Sequence, residues 1–220
     1  MLDYELTSTR IGQEATFYRP LRQGPSPVFL VAKRGFDLWF SVMLLPLLCV
    51  TSVMLLLLNP FFNSGPVFFA QIRMGRHCRP FLAYKFRSMS PRQRALRGPF
   101  DPLEADRIPA LGRFIRRSRL DELPQILNVI KGEMSLIGPR PDYVGHARHY
   151  NRTMPGYRSR HSVRPGISGL AQTEIGYVQC ADTVQAKVQA DLRYIRTMGP
   201  MQEIRIFWRT ILTVLCLKGQ

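Results

Sequence analysis

An apolar stretch from Leu38 to Leu58 contains 21 residues without a charge. As a helix it would be roughly 31 Å long, close to the hydrocarbon thickness of about 30 Å in a bilayer. The alternative is a buried helix of a soluble protein, but such a helix normally has a polar face and this stretch has none. The sequence therefore predicts a membrane segment at residues 33–60, preceded by a flexible N-terminal extension at residues 1–32.

A proline divides this segment. Pro46 lacks the backbone donor that a helix interior needs, so we expect a kink there, with two arms of about 10 to 12 residues that reach roughly 15 to 18 Å. Lys33 and Arg34 precede the segment, and the basic residues that follow it are Arg73, Arg76, Arg79, Lys85 and Arg87. Because basic flanks stay cytoplasmic, this pattern favours a re-entrant helical hairpin, with a kinked spanning helix as the alternative.

Asp37 lies where the chain would enter lipid, four residues after Lys33. An acid at that depth is costly unless it is paired. Two interpretations stay open: an interfacial ion pair with Lys33, or a role in binding a lipid headgroup.

The overall charge points to anionic partners. The chain has 31 Lys and Arg against 15 Asp and Glu, a formal charge of +16, which suits nucleic acid, anionic lipid or phosphorylated substrates. Its four cysteines are widely scattered, so the sequence indicates neither a zinc site nor a disulfide framework, and we expect a reducing, cytosolic setting.

Residues 61–220 read as one cytoplasmic domain. Alternating apolar and basic residues from Gly65 to Met89 predict short strands, and residues 90–110, rich in proline, predict a surface loop. A helical pattern begins at Leu111. The stretch Glu203–Gly219 is basic and apolar and predicts an interfacial helix, or else an ordinary packing helix. The expected fold class is α+β and mostly helical, with short strands and interfacial amphipathic helices.

Two adjacent acids, Asp121 and Glu122, stand out in this basic chain. Pro124 belongs in the first turn of a helix, which makes Asp121 a candidate N-cap. A buried stripe of Leu123, Leu127 and Ile130 is expected to follow. Helix capping is therefore one explanation for Asp121, and a catalytic or binding role is the other.

Basic residues surround the acids in the sequence, namely Arg116, Arg117, Arg119 and Arg140. Arg140 lies between two prolines, which fix the backbone and aim its side chain, and Arg164 lies in a similar turn. Guanidinium groups collect phosphate oxygens. Two rigid basic turns therefore favour a diphosphate clamp over solvated surface charge.

Several stretches together resemble the bacterial sugar transferases, monotopic phosphoglycosyl transferases that begin surface-glycan assembly on a polyprenyl phosphate carrier. The resemblance covers most of residues 33–218. Its elements, in order, are KRGFD, GPVFFAQIRMG, YKFRSM, LGRFIRRSRLDELPQILNVIKGEMSLIGPRP and VRPGISGLAQ.

This resemblance implies a function for the acid pair. Asp121 resembles the family nucleophile, which attacks the β-phosphate of a UDP-sugar, expels UMP and forms an aspartyl phosphosugar that polyprenyl phosphate then attacks. Glu122 resembles the residue that holds Mg²⁺. The implied substrate-binding residues are Lys85, Arg87, Arg116, Arg140, Arg164 and Gln172. The implied membrane and structural residues are Lys33, Arg34, Asp37 and Pro46.

The implied partners are a UDP-sugar, polyprenyl phosphate and membrane lipids, without nucleic acid and with an oligomer left open. The implied location is the inner membrane of a bacterium, with the active site on the cytoplasmic face. Galactose, glucose and a modified hexosamine all stay open as the sugar. The chain departs from the family at Pro46, which lies one turn early, at Arg119, where a small hydroxyl residue is common, and at residues 170–173.

Two other functions would also suit a basic chain with this acid pair. A non-catalytic basic membrane adaptor would bind anionic lipid or nucleic acid in a salt-sensitive way. A Mg²⁺-dependent phosphohydrolase would use the same acids with water as the acceptor.

Overall fold

Over the residues that the structure describes, the chain is mostly helical with two small two-stranded sheets, in agreement with the expected α+β class. A computed structural model describes residues 25–63, 65–90, 98, 104–175 and 181–216. Most of the predicted N-terminal extension, residues 1–24, lies outside the described residues.

Two consecutive helices form the apolar segment. Helix α1 spans Pro27–Met43 and helix α2 spans Leu45–Phe62. The break falls at Leu44, two residues before Pro46, because Pro46 occupies the first turn of α2, where a missing N–H costs no helical hydrogen bond. The apolar segment is therefore interrupted near the predicted kink, and Pro46 lies two residues after the break.

Helix α1 begins six residues before the predicted boundary at residue 33. Ser26 caps it by accepting a hydrogen bond from the Phe29 N–H, and Pro27 occupies its first turn. The two helices have 17 and 18 residues, so the predicted arms of 10 to 12 residues were too short. The predicted arm lengths were based on the apolar segment alone, whereas the capping residues Ser26 and Asn63 lie outside it.

One face of α2 packs against the rest of the protein along most of its length. Its buried residues recur every three or four positions and are Leu48, Thr51, Leu55 and Asn59. Leu48 and Leu55 join a core cluster with Phe86, Ile115 and Ile126. Helix α2 is long and apolar enough to cross a membrane by length and composition, and most of its surface is exposed.

The predicted short strands form an antiparallel hairpin. Strand β1 spans Phe68–Met74 and strand β2 spans Pro80–Phe86, with a 3₁₀ turn at Arg76–Cys78 between them. The predicted loop at 90–110 lies largely outside the described residues, although a 3₁₀ turn occupies Ala105–Arg107.

Helix α3 spans Ala110–Arg117, as the sequence predicted. A 3₁₀ helix follows at Leu120–Gln125 and continues into α4, Ile126–Lys131. The predicted N-cap at Asp121 was wrong: Arg119, at φ 56°, precedes the turn, and Asp121 lies inside it. The predicted stripe was right only in part: Leu123 and Leu127 pack partly buried against the core, Ile130 is exposed, and the fully buried apolar residues of α4 are Ile126 and Val129.

A small parallel sheet joins the two proline-rich turns. Strand β3 is Ser135–Ile137 and strand β4 is Gly166–Ser168. A Cβ on Gly166 would lie 2.1 Å from the Gly138 N, so only glycine permits this approach. Between the strands lie helix α5, Val144–Thr153, and a 3₁₀ helix, Tyr157–Ser162. Helix α6, Leu170–Glu174, follows β4.

The last two helices are α7, Ala181–Thr197, and α8, Pro200–Leu215. Helix α8 confirms the predicted C-terminal helix. Its exposed apolar residues recur every three or four positions and are Met201, Ile204, Trp208, Leu212 and Leu215. On another face, the Phe207 ring meets Phe36 and Phe40 of α1 edge-on, at centroid distances of 5.6 and 5.1 Å.

Candidate active site

Glu122 is the centre of a cluster of basic side chains. Its Oε1 accepts a hydrogen bond from Lys85 Nζ at 2.7 Å, and both its oxygens accept from the guanidinium fork of Arg140, at 3.0 Å for the Nη1–Oε2 pair. Arg119 Nη1 lies 3.9 Å from Oε2. Burial alone would raise the pKa of Glu122, but Arg140 and Lys85 outweigh it and hold that pKa well below its usual range. Glu122 is therefore ionised.

Asp121 lies beside this cluster, and its carboxylate makes fewer contacts with protein groups than that of Glu122. It is 9% exposed, and among the described residues its side chain makes no hydrogen bond. Burial raises its pKa, and Glu122 adds to that effect, while Lys85 and Arg116 oppose it. The structure thus places a carboxylate oxygen next to several cations. Within the described residues, that oxygen accepts no hydrogen bond.

Lys85 is the titratable cation of the site. Burial lowers its pKa to about 8, in spite of the opposing charge of Glu122. The positive charges of Arg140 and Arg73 contribute to this lowering of the Lys85 pKa. The ammonium group is therefore charged at neutral pH and loses its proton within an accessible pH range.

Two backbone anchors position the acids and Lys85. The buried Asn128 side chain accepts from the Tyr84 N–H at 3.1 Å and donates to the Leu82 carbonyl at 2.8 Å, so α4 is fixed to β2. The 3₁₀ helix that carries the acids runs directly into α4. This connection holds Glu122 opposite Lys85.

A second set of contacts holds the Arg140 turn. Arg73 donates to the Pro141 carbonyl at 2.5 Å, and Arg160 Nη2 donates to the Arg140 carbonyl at 2.7 Å. Arg160 is buried and pairs with both Asp142 and Asp191. The turn that aims Arg140 is therefore tied to a buried ion network.

Sequence reasoning missed this network. Its members beyond Arg73 are Asp142, Tyr157, Arg160, Lys187 and Asp191. The available signals were weak: Asp142 directly follows the second proline of the turn, and Lys187 and Asp191 are four residues apart on a helix. Only the fold brings these stretches together.

The structure brings three predicted binding residues together with the acid pair or within Coulombic reach of it. Lys85 and Arg140 contact Glu122, and Arg116 acts on Asp121 by its charge. Arg87 is placed elsewhere by the contacts described for it. Its Nη2 donates to the Asn63 carbonyl after the end of α2, and its guanidinium packs against Gly65.

Arg164 and Gln172 are engaged away from the acids. Arg164 Nε donates to the Gly132 carbonyl at 2.9 Å, beyond the far end of α4. Gln172 Nε2 donates to the Ile167 carbonyl at 3.3 Å. The predicted clamp of two arginine turns is therefore not formed around Glu122 in this structure. Arg140 contacts Glu122, before the start of α4, whereas Arg164 contacts Gly132, after its end.

The predicted membrane and structural residues anchor α1. Asp37 is buried, and it accepts hydrogen bonds from Ser135 Oγ at 2.7 Å and the Leu136 N–H at 3.2 Å. Lys33 lies 3.8 Å from Asp37 and 2.6 Å from Glu203. Asp37 thus serves an internal structural role, with both oxygens used by protein groups.

Chemically, this arrangement suits a reaction at phosphate. A carboxylate that approaches a diphosphate meets repulsion of about 4 kcal/mol per charge pair at 4 Å and an effective dielectric near 20. Lys85, Arg140 and Arg116 offset that repulsion and offer donors to phosphate oxygens. The arrangement is therefore chemically able to bring a carboxylate close to a phosphate group.

Several known proteins with similar sequences are named as transferases that act on undecaprenyl phosphate. One relative is the UDP-N-acetylgalactosamine-undecaprenyl-phosphate N-acetylgalactosaminephosphotransferase of Aeromonas hydrophila, 40% identical over 87% of this chain and 45% of the relative. Another is the UDP-glucose:undecaprenyl-phosphate glucose-1-phosphate transferase of Escherichia coli K12, 36% identical over 87% of this chain and 42% of the relative. This chain thus spans less than half the length of these two.

A third relative is of similar length. The exopolysaccharide production protein PSS of Rhizobium leguminosarum bv. phaseoli is 35% identical over 84% of this chain and 96% of its own. The family model described as bacterial sugar transferase matches residues 28–217, nearly the whole described chain. The chain belongs to the bacterial sugar transferase family.

Proposed function

We propose that the protein transfers a sugar 1-phosphate from a UDP-sugar to polyprenyl phosphate, releasing UMP, as a first step in exopolysaccharide or other surface-glycan synthesis. The observation that carries this proposal is the pairing of Asp121, which has no hydrogen bond among the described residues, with Glu122, which Lys85 and Arg140 hold ionised. Relatives named for transfer to undecaprenyl phosphate support the same reaction class.

The reaction proceeds in two displacements. An oxygen of Asp121 attacks the β-phosphorus, the bond to the bridging oxygen breaks, and UMP leaves with that electron pair. An oxygen of polyprenyl phosphate then attacks the same phosphorus and breaks the acyl phosphate bond. The products are a polyprenyl diphosphate sugar and a regenerated Asp121 carboxylate.

Mg²⁺ is the proposed cofactor, with Glu122 as its protein ligand next to Asp121. The donor set fits, because Mg²⁺ usually binds one or two carboxylates and completes its shell with substrate phosphates and water. Among the described residues, no group of three or more His, Cys, Asp or Glu side chains could hold a metal ion. When bound, the ion neutralises charge on the diphosphate.

The proposed membrane arrangement is a re-entrant hairpin of α1 and α2 that places the site at the cytoplasmic face of a bacterial inner membrane. The buried face of α2 from Leu48 to Asn59 supports it, because a helix that crosses the bilayer could not pack on a cytoplasmic domain over that length. The exposed apolar stripe of α8 supports an interfacial position for that helix.

Cysteine labelling tests this topology. In a variant without native cysteines, we expect Arg10→Cys and Phe100→Cys to react with a membrane-impermeant reagent only after spheroplasts are permeabilised. Both positions would then be cytoplasmic, on the two sides of the hairpin. Labelling of only one of the two positions in intact spheroplasts would rule out the hairpin, and labelling of both would rule out the cytoplasmic location of its ends.

Product analysis tests the reaction. Detergent-solubilised protein with Mg²⁺, polyprenyl phosphate and a panel of UDP-sugars should release UMP and form a lipid-linked sugar with at least one donor. Multiple-turnover UMP release without the lipid carrier would instead indicate a phosphohydrolase. Absence of UMP with every donor would leave a binding protein, and the proposal would fail.

The titration of Lys85 is expected to set the fall of kcat/KM at alkaline pH. Its pKa of about 8 means that the side chain is charged below that pH and neutral above it. We therefore expect kcat/KM for the UDP-sugar to fall above pH about 8. Lys85→Arg, which stays charged, should shift this fall to higher pH, while exposed Lys131→Arg should leave it in place. An unshifted fall in Lys85→Arg would assign the limb to another group.

A further inference from the structure

Two arginines from distant parts of the sequence meet at the C-terminal end of α4. Arg34 of α1 donates from Nη1 to the Val129 carbonyl at 2.8 Å and from Nη2 to the Ile130 carbonyl at 3.4 Å. Arg164 donates from Nε to the Gly132 carbonyl at 2.9 Å. Their positive charges lie close enough to repel each other.

Most of the donors in this pair stay available. A guanidinium group carries five N–H donors, and both Nη atoms of Arg164 lack a hydrogen-bond partner among the described residues. Asp37 is the nearby carboxylate that acts on Arg34, but its oxygens already accept from Ser135 and Leu136. The pair therefore has spare donors and a positive charge that Asp37 offsets only in part.

Both arginines are held in place by the fold. Asp37, three residues after Arg34, fixes α1 to the start of the parallel sheet. Arg164 precedes Pro165, whose carbonyl accepts from the Ser135 N–H at 2.9 Å. Held side chains lose little entropy when they bind a ligand, so the pair is preorganised for an anion.

The position of Arg34 indicates which anion. Arg34 lies four residues before Leu38, where the uncharged stretch begins, so it stands near the level at which α1 would enter lipid. Helix α4 separates this pair from the acid pair by six residues, a rise of about 9 Å. A phosphate held here is thus separate from the phosphate at Asp121.

We propose that Arg34 and Arg164 form a second phosphate site, which binds the phosphate group of a membrane lipid beside the Gly132 turn. Guanidinium forks match phosphate oxygens in geometry as well as in charge. The lipid is either a bulk phospholipid or the polyprenyl phosphate carrier, which share this group. The site goes beyond the proposed reaction and does not depend on it.

Lipid binding by the full chain, measured by native mass spectrometry from detergent without any UDP-sugar, tests the site. The probes are phosphatidylglycerol, polyprenyl monophosphate and phosphate-free diacylglycerol. We expect the wild type to retain a phosphate lipid in preference to diacylglycerol. Tighter binding of phosphatidylglycerol identifies a bulk lipid as the ligand, and tighter binding of polyprenyl phosphate identifies the carrier.

The variants separate coordination from simple charge attraction. Arg34→Gln and Arg164→Gln should each weaken retention of the preferred lipid by about tenfold or more, as expected for a charge-assisted contact. Arg34→Lys should restore it only in part, because an ammonium lacks the fork. The matched control is Arg152→Gln in α5, which removes an exposed arginine and should have no effect.

Two results would overturn the site. One is equal retention of diacylglycerol and phosphate lipids by the wild type. The other is undiminished phosphate-lipid retention in the folded Arg34→Gln/Arg164→Gln double variant, with folding checked by circular dichroism. No turnover is measured, and phosphatidylglycerol is not a substrate of the proposed reaction, so its retention is independent of the proposed transferase activity.

Discussion

Asp121→Asn should lower UMP release by at least about 10³-fold, since removal of a covalent nucleophile eliminates the first displacement. The amide is a poor nucleophile but has nearly the same shape, so the fold and the pairing of Glu122 with Lys85 and Arg140 should persist. The measurement is UMP release with saturating UDP-sugar and polyprenyl phosphate, together with the unfolding temperature.

The matched control is Asp106→Asn. Asp106 is exposed in the 3₁₀ turn at Ala105–Arg107, so the same chemical change there should leave the rate within about twofold of wild type, as for an ordinary surface substitution. Full activity of Asp121→Asn would remove Asp121 from the mechanism. Equal losses in both variants would point to a general effect on the protein.

Arg160→Met should reduce the free energy of unfolding by about 3 to 5 kcal/mol, because removal of one member of a buried ion network leaves its partners unpaired. Arg160 is 1% exposed, and its Nη2 lies 2.7 Å from Asp191 Oδ2, also in a side chain 1% exposed. For a chain of this size the unfolding temperature should fall by about 6 to 20 °C. Thermal unfolding in detergent measures this shift.

A double variant checks the cause. In Arg160→Met/Asp191→Asn the unpaired charge at Asp191 is gone, so part of the lost stability should return. Asp142 keeps Lys187 Nζ at 2.5 Å and the Tyr157 hydroxyl at 2.8 Å in either variant. An unchanged unfolding temperature in Arg160→Met would mean that the network adds no net stability.

Local signals in the sequence predicted the helices and the hairpin because their causes are local. The uncharged run, Pro46 and the alternation between Gly65 and Met89 each act over a few residues, and they indicated α1, α2 and the β1–β2 hairpin. The start of α1 at Pro27 was missed because the cap at Ser26 lies outside the apolar run. The N-cap at Asp121 was wrong because Arg119 adopts a left-handed conformation that arginine rarely takes.

The centre of the candidate site was predictable, and its surroundings were not. Asp121, Glu122 and Arg140 lie in one continuous stretch, and family resemblance assigned their roles. Arg164 looked equivalent to Arg140 because both occupy proline turns, but chain folding sends the two side chains to opposite ends of α4. Arg160 gave no signal, since an arginine in a basic stretch such as RSRH usually has a solvated side chain.

Mass spectrometry of the protein treated with UDP-sugar and Mg²⁺, with polyprenyl phosphate left out, tests the central claim most directly. The account predicts a sugar-phosphate adduct on the peptide that contains Asp121, which disappears when polyprenyl phosphate is added. An enzyme that turns over with both substrates but never carries that adduct would contradict it.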